Sequence, residues 1–198
     1  MTFHAESFLK SEWAEHADVL SKTLQEIQPS FLTLLDACTS SIKNGGKILF
    51  FGNGGSAGDA QHLSTELVVR YRDNRVPIAA MALTTDTSAL TAIGNDLGFD
   101  HLFSRQIEAL GKPGDIALAI TTSGKSPNVT KGLQMAKNKG LVTASLTGKG
   151  GGDILDLCDH ALIVPSQTTA RIQEMHIFIG QLLCDALEKT LELTTRKP

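Results

Sequence analysis

The sequence predicts an α/β fold, a doubly wound parallel sheet of five strands with helices on both faces. Two observations lead to this prediction. Five short apolar runs alternate along the chain with stretches of helical periodicity. The runs are nearly continuous rather than alternating with polar residues, which is typical of strands covered on both faces. In such a sheet, right-handed crossovers place every strand-to-helix loop at the same edge.

The N-terminal part is predicted to be helical, and the rest to alternate between strands and helices. Apolar residues recur at helical spacing over residues 5–43, and Pro29 separates two sets of them, so two helices are predicted there. The predicted strands cover 47–53, 78–84, 115–123, 141–148 and 160–166. The helices that follow them are predicted at 56–71, 87–94 with 101–110, 127–138, 152–158 and 168–194.

Length and composition predict a single domain, residues 1–198, with an N-terminal helical extension at 1–45 and an α/β core at 46–198. The net charge of −3, without a Lys/Arg cluster, argues against nucleic acid as a partner. No apolar run approaches the ~20 residues that span a bilayer, and the charged N-terminus is unlike a signal peptide. Three widely spaced cysteines fit reduced thiols, so a cytoplasmic protein without membrane contact is expected.

Two predicted loops combine glycines with polar side chains at the carboxyl edge of the sheet, where ligands bind in folds of this class. The first, GNGGSAGDA, has Gly54 and Gly55, which let backbone N–H groups face outward, and Ser56, which is placed to cap the helix. The third loop, TTSGKSPN, gathers four hydroxyls at a helix N-terminus, those of Thr121, Thr122, Ser123 and Ser126. Hydroxyls, free N–H groups and a helix dipole together form a phosphate site.

A phosphorylated small molecule is therefore the favoured ligand. One Gly-rich turn between a strand and a helix is often only a tight turn, but the fourth loop, LTGKGGGD, adds a further Gly-rich turn on the same edge. Neither the Walker pattern nor G-x-G-x-x-G is present, so a nucleotide is not indicated.

The helix after the first loop carries His62 and Glu66, four residues apart and therefore on one face. This spacing suits two metal ligands, or a base beside its partner. A solvated helix face is the commoner interpretation of such a pair, but the nearby glycines favour a functional one. The last predicted helix has polar residues in its first half that an exposed face explains less well, namely Arg171, Gln173, Glu174, His176 and Gln181.

Together these motifs resemble the phosphoheptose isomerases of the sugar isomerase (SIS) domain superfamily. The resemblance is carried by GNGGSAGDAQH-x3-E, LTAIGND, TTSGKSPN, LTGKGGG and ARIQEMH, in this order, within residues 5–192. It implies a flavodoxin-like, three-layer α/β/α SIS fold with N-terminal helices, assembled as a homotetramer with active sites between subunits. The implied reaction interconverts sedoheptulose 7-phosphate and D-glycero-D-manno-heptose 7-phosphate, the first step toward ADP-heptose and the heptose of bacterial lipopolysaccharide.

The resemblance also implies roles for individual residues. Glu66 corresponds to the catalytic base and a metal ligand, and His62, Gln173 and Gln181 to the other ligands of one Zn²⁺ per subunit. The implied substrate contacts are Asn53, Gly54, Gly55, Ser56, Glu66, Asn95, Asp96, Thr121, Thr122, Ser123, Ser126 and Gln173. In aldose–ketose isomerisation a carboxylate moves a proton between adjacent carbons through an enediol. Zinc or a second acid stabilises charge on the substrate oxygens.

One position departs from the family pattern. Eight residues after the counterpart of Gln173, the isomerases have a histidine that acts as second acid/base and metal ligand, and this chain has Gln181. An amide cannot shuttle protons near neutral pH, although its oxygen can still contact a metal. Gln173 and Gln181 are about 12 Å apart along one helix, so a site that uses both would draw on neighbouring subunits.

Three explanations of Gln181 stay open at this point. It is an introduced substitution that inactivates the enzyme, or a natural residue in an enzyme that relies on zinc and Glu66 or on His176, or a sign of a non-enzymatic role. A tetrameric SIS protein that associates with the bacterial replication initiator shares ARIQEMH and LCD but lacks the metal-site carboxylate. Because Glu66 is retained here, an isomerase is favoured over that binding protein or another sugar-phosphate SIS enzyme.

Overall fold

The computed structural model describes residues 3–192 and confirms the predicted five-stranded parallel sheet. The strands are β1 Ile48–Gly52, β2 Ala80–Ala82, β3 Ile116–Thr121, β4 Val142–Gly148 and β5 His160–Val164. Their order is β2-β1-β3-β4-β5, the flavodoxin-like arrangement, and each neighbouring pair is parallel. In this order the chain changes direction between β1 and β3, so the loops after these strands flank the crevice in which such sheets bind ligands.

Within the described residues, six α-helices surround the sheet. They are α1 Ala5–Lys43, α2 Gly55–Val68, α3 Thr87–Asp96, α4 Leu102–Leu110, α5 Pro127–Asn138 and α6 Thr169–Thr190. The short helix predicted at 152–158 is a 3-10 helix, Gly152–Leu157, and a 3-10 turn, Phe99–His101, precedes α4. The last helix is predicted to reach residue 194; it ends at Thr190, and residues 193 and 194 lie outside the described part.

The N-terminal region corrects one prediction. The two helices predicted on either side of Pro29 are a single helix of 39 residues that runs through the proline. Proline removes the N–H that would bond to the Gln25 carbonyl, but both residues are exposed, which leaves this part of the helix open to water as an alternative partner. Val19, Ile27 and Leu34 hold this helix in the apolar core. No helix within residues 3–192 is long and apolar enough to cross a membrane.

Two apolar cores lie on the two faces of the sheet, which confirms the three-layer arrangement. In β1, Ile48 and Phe50 face the core shared with α1, α2 and α6. Leu49 and Phe51 face the core shared with α4 and α5. All four side chains are at most 1% exposed. The continuous apolar run therefore has the cause inferred from the sequence, since both faces of the strand are covered.

The second strand is shorter than the predicted run 78–84. Only residues 80–82 pair with β1. The Ile78 N–H donates instead to the Leu67 carbonyl at 3.0 Å, so the chain reaches the sheet later than predicted. This strand lies at the edge of the sheet, and Met81 is 40% exposed.

The helix predicted at 56–71 is α2, and it ends earlier, at Val68. The three N–H groups of residues 71–73 donate to the Glu188 carboxylate at 2.8, 3.1 and 3.2 Å. They therefore cannot donate to the preceding turn and continue the helix. A residue of α6 thus sets the end of the helix that carries His62 and Glu66.

A buried histidine gives the fold a pH dependence. His176 on α6 is 0% exposed, and neither of its ring nitrogens has a hydrogen-bond partner within the described residues; burial lowers its pKa from 6.5 to about 4, and the nearby Thr147 backbone opposes part of this shift. As the pH falls, the unfolded chain therefore binds a proton that the folded chain does not. We expect stability to be full above pH 6.5 and to be lost toward pH 4, by up to about tenfold in the folding equilibrium constant per pH unit.

Urea unfolding at fixed protein concentration, repeated across this pH range, measures the effect. His176→Leu removes the titrating group and should flatten the slope. An unchanged slope in this variant would show that the dependence arises elsewhere.

Candidate active site

The carboxyl edge of the sheet has a small polar cavity between the ends of β1 and β3. Its volume is about 80 Å³, and its walls are Asn53, Ser56, Ile120, Thr121, Thr122, Ser123, Ser126 and Gln173. All but Ile120 are predicted substrate contacts. Larger clefts of about 390 and 710 Å³ lie between α1 and α6 and beside β2; most of their exposed surface is apolar, although Glu12, His16, Arg171 and Glu174 line the first. The small cavity has the volume of a few waters, which suits a phosphate group rather than a whole sugar.

The first loop, residues 53–55 (the glycine loop), needs its glycines for two different reasons. Gly54 has φ +57°, in the left-handed region, and is the N-cap of α2 without any side-chain cap. Gly55 lies against α6, because a Cβ there would be 2.7 Å from Nε2 of Gln173. The Gln173 amide therefore lies over the glycine loop, beside the uncapped start of α2.

The third loop, residues 121–126 (the hydroxyl loop), presents its side-chain oxygens at the N-terminus of α5. The Lys125 N–H donates to Ser123 Oγ at 3.3 Å, which shapes the turn. Ser126 is the N-cap residue of α5, and its side chain makes no capping bond. Its hydroxyl and the positive end of the helix dipole are therefore available to an anion.

The fourth loop, LTGKGGGD, supports the hydroxyl loop and does not line the cavity. Gly124 has φ +63°, and a Cβ on it would be 1.9 Å from the Gly151 carbonyl oxygen. A Cβ on Gly152 would be 2.3 Å from the Ser123 carbonyl oxygen. The Asp153 N–H donates to the Gly124 oxygen at 3.0 Å. The two backbones are in direct contact, so this glycine-rich turn fixes the shape of the hydroxyl loop.

A residue that the sequence analysis missed connects the glycine loop to the hydroxyl loop. Asn53 and Asn128 exchange two amide hydrogen bonds, each 2.9 Å long. Asn128 lies in the first turn of α5 and is 2% exposed. The available signal was a polar residue directly after Pro127 in the first turn of a helix. The pair holds Asn53, a predicted substrate contact, at the wall of the cavity.

His62 and Glu66 lie together on one face of α2. His62 Nε2 is 3.0 Å from Glu66 Oε1, and the two side chains are 48% and 20% exposed. Asp59, one turn earlier, is partly buried; burial raises its pKa and the nearby His62 lowers it in part. The Glu66 carboxylate is shielded from most of the solvent but not enclosed. Partial shielding together with remaining access suits a general base that has to contact a bound substrate.

The His62–Glu66 pair fits a zinc ion as part of a ligand set. Imidazole nitrogen and carboxylate oxygen are donors that zinc prefers. No group of three or more His, Cys, Asp or Glu residues within residues 3–192 is arranged to hold a metal ion. A larger set would need the amide oxygens of Gln173 and Gln181, which are not among the usual zinc donors.

Glu66 and the cavity lie at opposite ends of α2. Ser56 lines the cavity, and Glu66 follows ten residues later on the same helix. This separation corresponds to a rise of about 15 Å. A sugar phosphate seated in the cavity therefore has to extend along α2, or meet a carboxylate from another copy of the chain.

The two glutamines of α6 lie beside different turns of α2. Gln173 contacts the glycine loop at Gly55, and a Cβ on Gly180 would be 2.4 Å from Leu63 Cδ1. The helices therefore run side by side in the same direction. Gln181 follows Gly180 and is half-buried, so it lies beside the turn of α2 that carries His62 and Glu66.

Five predicted substrate contacts do not line the cavity, namely Gly54, Gly55, Glu66, Asn95 and Asp96. Asn95 and Asp96 are the last residues of α3, and both are exposed. Asn95 Nδ2 donates to Asp96 Oδ1 at 2.7 Å. The pair presents a carboxylate and an amide to the solvent, so any contact with substrate would be made from outside the cavity wall.

Comparison with known proteins gives a consistent family. Residues 13–148 match the family model of the SIS domain. The chain is 58% identical over 182 residues to the phosphoheptose isomerase of Paramagnetospirillum magneticum, and this alignment covers 92% of this chain and 95% of that protein. It is 48% identical over 184 residues to phosphoheptose isomerase 1 of Campylobacter jejuni, at 93% and 98% coverage.

Solved structures give the same result. A phosphoheptose isomerase from Neisseria gonorrhoeae is similar with a TM-score of 0.89 and 40% identity, over 94% of this chain and 100% of that chain. A phosphoheptose isomerase from Francisella tularensis is similar with a TM-score of 0.91 and 35% identity, at the same coverage. The likeness extends over nearly the whole chain and is therefore not confined to single loops.

Proposed function

The chain belongs to the SIS-domain family and, within it, to the phosphoheptose isomerases; from this membership we propose that it interconverts D-sedoheptulose 7-phosphate and D-glycero-D-manno-heptose 7-phosphate. The product would enter the synthesis of ADP-heptose and of the heptose in lipopolysaccharide. The binding-protein alternative is not favoured, because the relatives at 47–58% identity are named as isomerases.

The hydroxyl loop is the observation that carries this proposal. Its four side-chain hydroxyls stand at the uncapped N-terminus of α5 and line a cavity of about 80 Å³. Such a site binds a phosphate group without an arginine clamp. The adjoining glycine loop and Gln173 supply further donors for the sugar hydroxyls.

Glu66 is the proposed base. In the direction from ketose to aldose, its carboxylate takes a proton from C1 while O2 gains a proton from solvent, which gives the enediol; the carboxylate then returns its proton to C2 while O1 loses a proton to solvent. His62 Nε2, 3.0 Å from Glu66 Oε1, orients the carboxylate. His176 is not a candidate for the second acid, because its side chain is 0% exposed in the core.

Zinc is part of the proposal as a group that His62 and Glu66 would hold. The amide oxygen of Gln181 could join them from the same chain, whereas Gln173 lies at the glycine loop and would have to come from another copy of the chain. A bound zinc ion would supply Lewis-acid stabilisation of charge on a substrate oxygen.

We also propose a homotetramer with active sites between subunits. Large apolar side chains are exposed on α1, α2 and α6: Phe8 52%, Trp13 74%, Leu24 65%, Val68 44%, Phe178 45% and Leu182 42%. Phe178 and Leu182 are one turn apart on α6 and therefore adjoin each other, and adjoining exposed apolar side chains are what marks an interface. A second copy would also bring its own Glu66 or Gln181 toward the cavity.

A cytoplasmic location completes the proposal. The three cysteines are all free, and Cys38 and Cys184 are buried, which fits a reducing compartment.

The direct test is an isomerase assay. The purified chain is incubated with sedoheptulose 7-phosphate, with and without added zinc, and the aldose is measured. Formation of D-glycero-D-manno-heptose 7-phosphate supports the proposal. Conversion of other sugar phosphates without conversion of this one would reassign the substrate.

Gln181 is expected to limit the rate. Because an amide cannot donate and accept protons in turnover, Gln181→His should restore an acid/base group beside Glu66 and raise kcat at least tenfold. Gln181→Asn is the matched control, since it keeps the amide and should not raise kcat. An equal rate for Gln181→His and the unaltered chain would contradict this account of the position.

A further inference from the structure

A buried ion pair lies at the end of α2, and the proposed chemistry does not use it. Arg75 Nε donates to Glu188 Oε1 at 2.8 Å, and the side chains are 1% and 2% exposed. Removing two charges from water is unfavourable unless further hydrogen bonds compensate for the lost hydration. The remaining bonds of the pair therefore indicate what it does.

The guanidinium of Arg75 caps the C-terminus of α2. Its Nη2 donates to the Glu66 carbonyl oxygen at 2.9 Å, and its Nη1 donates to the Leu67 carbonyl oxygen at 2.8 Å. Carbonyls in the last turn of a helix lack partners within the helix, and a cation there also interacts favourably with the helix dipole. One of the two carbonyls belongs to the proposed base itself.

Glu188 connects this cap to α6. Besides Arg75, it accepts the three N–H groups of residues 71–73. Burial alone would raise its pKa, but these N–H groups and Arg75 together bring it below the usual value. The carboxylate is therefore ionised, with all its hydrogen bonds directed at the segment that follows α2.

The pair joins the two helices that carry the proposed catalytic groups. Glu188 lies on α6 seven residues after Gln181, and Arg75 bonds to the backbone of Glu66. Between these points, Cys184 Sγ lies 3.9 Å from the Leu63 carbonyl oxygen, so the helices are in contact. A change in the ion pair would therefore shift Glu66 relative to α6.

We propose that Arg75 and Glu188 are positioning residues for the isomerisation, holding the Glu66 carboxylate in register with the carbons between which it moves the proton. The inference rests on the proposed function, in which Glu66 is the base. Displacing a catalytic group by about 1 Å costs on the order of 10²-fold in rate. A fixed helix end is therefore a requirement of the chemistry as well as of the fold.

The test compares Arg75→Lys, Arg75→Met and Glu188→Gln with the unaltered chain. Lysine keeps the charge but cannot reach Glu188 and both carbonyls at once; methionine keeps only the apolar stem. We expect kcat to fall about 10- to 100-fold in Arg75→Met and Glu188→Gln, and less in Arg75→Lys, with KM changed less than about threefold. The deuterium isotope effect with sedoheptulose 7-phosphate labelled at C1 should increase, because proton transfer becomes the slower step.

Asp115→Asn is the matched control. Asp115 is also a buried carboxylate, 3% exposed, that accepts backbone N–H groups from Lys47 and Lys112 and pairs with the Lys47 ammonium. It precedes β3, at the edge of the sheet opposite the cavity. If both pairs were merely structural, Asp115→Asn and Glu188→Gln would lose stability and active fraction alike, without any change in the isotope effect.

The outcomes separate this inference from the proposed function. Unchanged kcat and isotope effect in Arg75→Met and Glu188→Gln, with an active wild type and an inactive Glu66→Gln, would overturn the positioning role and leave the isomerase standing. Amide hydrogen exchange over residues 62–68 gives a readout independent of turnover. The exchange rate of these amides should rise at least tenfold in Arg75→Met and stay unchanged in Asp115→Asn. Equal exchange rates in Arg75→Met, Asp115→Asn and the unaltered chain would also overturn the inference.

Discussion

Glu66→Gln is expected to lower kcat by about 10²- to 10⁴-fold, the usual contribution of a general base. The amide has nearly the same size, so the helix and the contact with His62 are retained, but it cannot take the proton from C1. The substrate phosphate would still bind at the hydroxyl loop, which lies at the other end of α2. Steady-state kinetics in the direction from ketose to aldose measure the loss, and substrate-induced thermal stabilisation checks that binding remains.

Glu108→Gln is the matched control for this change. Glu108 lies on α4 and pairs with Arg105 at the surface, far from the carboxyl edge. The same chemical substitution there should change kcat less than twofold. A Glu66→Gln variant that turns over at the rate of Glu108→Gln would exclude Glu66 as the base.

Gly124→Ala is expected to destabilise the protein by at least about 3 kcal/mol and to abolish phosphate binding. The left-handed conformation alone costs a residue with a Cβ about 1–2 kcal/mol. The larger part arises because the new Cβ would be 1.9 Å from the Gly151 carbonyl oxygen, which belongs to a rigid turn. Relief of this overlap must separate the fourth loop from the hydroxyl loop.

Gly150→Ala isolates the conformational part of this effect. Gly150 has φ +77°, but nothing lies within 4 Å of its added Cβ. Its destabilisation should stay near about 1–2 kcal/mol, and phosphate binding should be retained. Urea unfolding at equal protein concentration and calorimetry with inorganic phosphate provide the two measurements. Equal losses in the two variants would contradict the supporting role of the fourth loop.

The fold could be predicted where neighbouring residues carry the signal, but not where a residue distant in sequence determines where an element ends. Continuous apolar runs identified β1 and β3 because both faces of these strands are covered. The end of α2 had no local signal, since Tyr71 bonds to Glu188, which is 117 residues away. Pro29 did not end the helix: it lies on the exposed side of α1, while Val19, Ile27 and Leu34 hold the helix in the core, and neither fact can be deduced from the proline itself.

The candidate site shows the same division. Parallel topology alone brought the glycine loop and the hydroxyl loop to one edge, and both line the cavity. The support given by Gly151 to Gly124 is a contact between two backbones, which no residue pattern encodes. The amide pair of Asn53 and Asn128 depends on the distance between two loops. Asn95 and Asp96 were assigned by resemblance, and the structure places them exposed at the end of α3, outside the cavity wall.

The central claim is that one sugar phosphate lies with its phosphate on the hydroxyl loop and its first two carbons at a Glu66 carboxylate. A crystal structure of the assembled protein with sedoheptulose 7-phosphate, using Glu66→Gln to prevent turnover, tests it most directly. The account predicts the phosphate within hydrogen-bond distance of Ser123 and Ser126, and the residue 66 side chain, from the same or another copy, within about 3.5 Å of C1 or C2. A phosphate bound elsewhere, or a residue 66 side chain remote from these carbons in every copy, would contradict it.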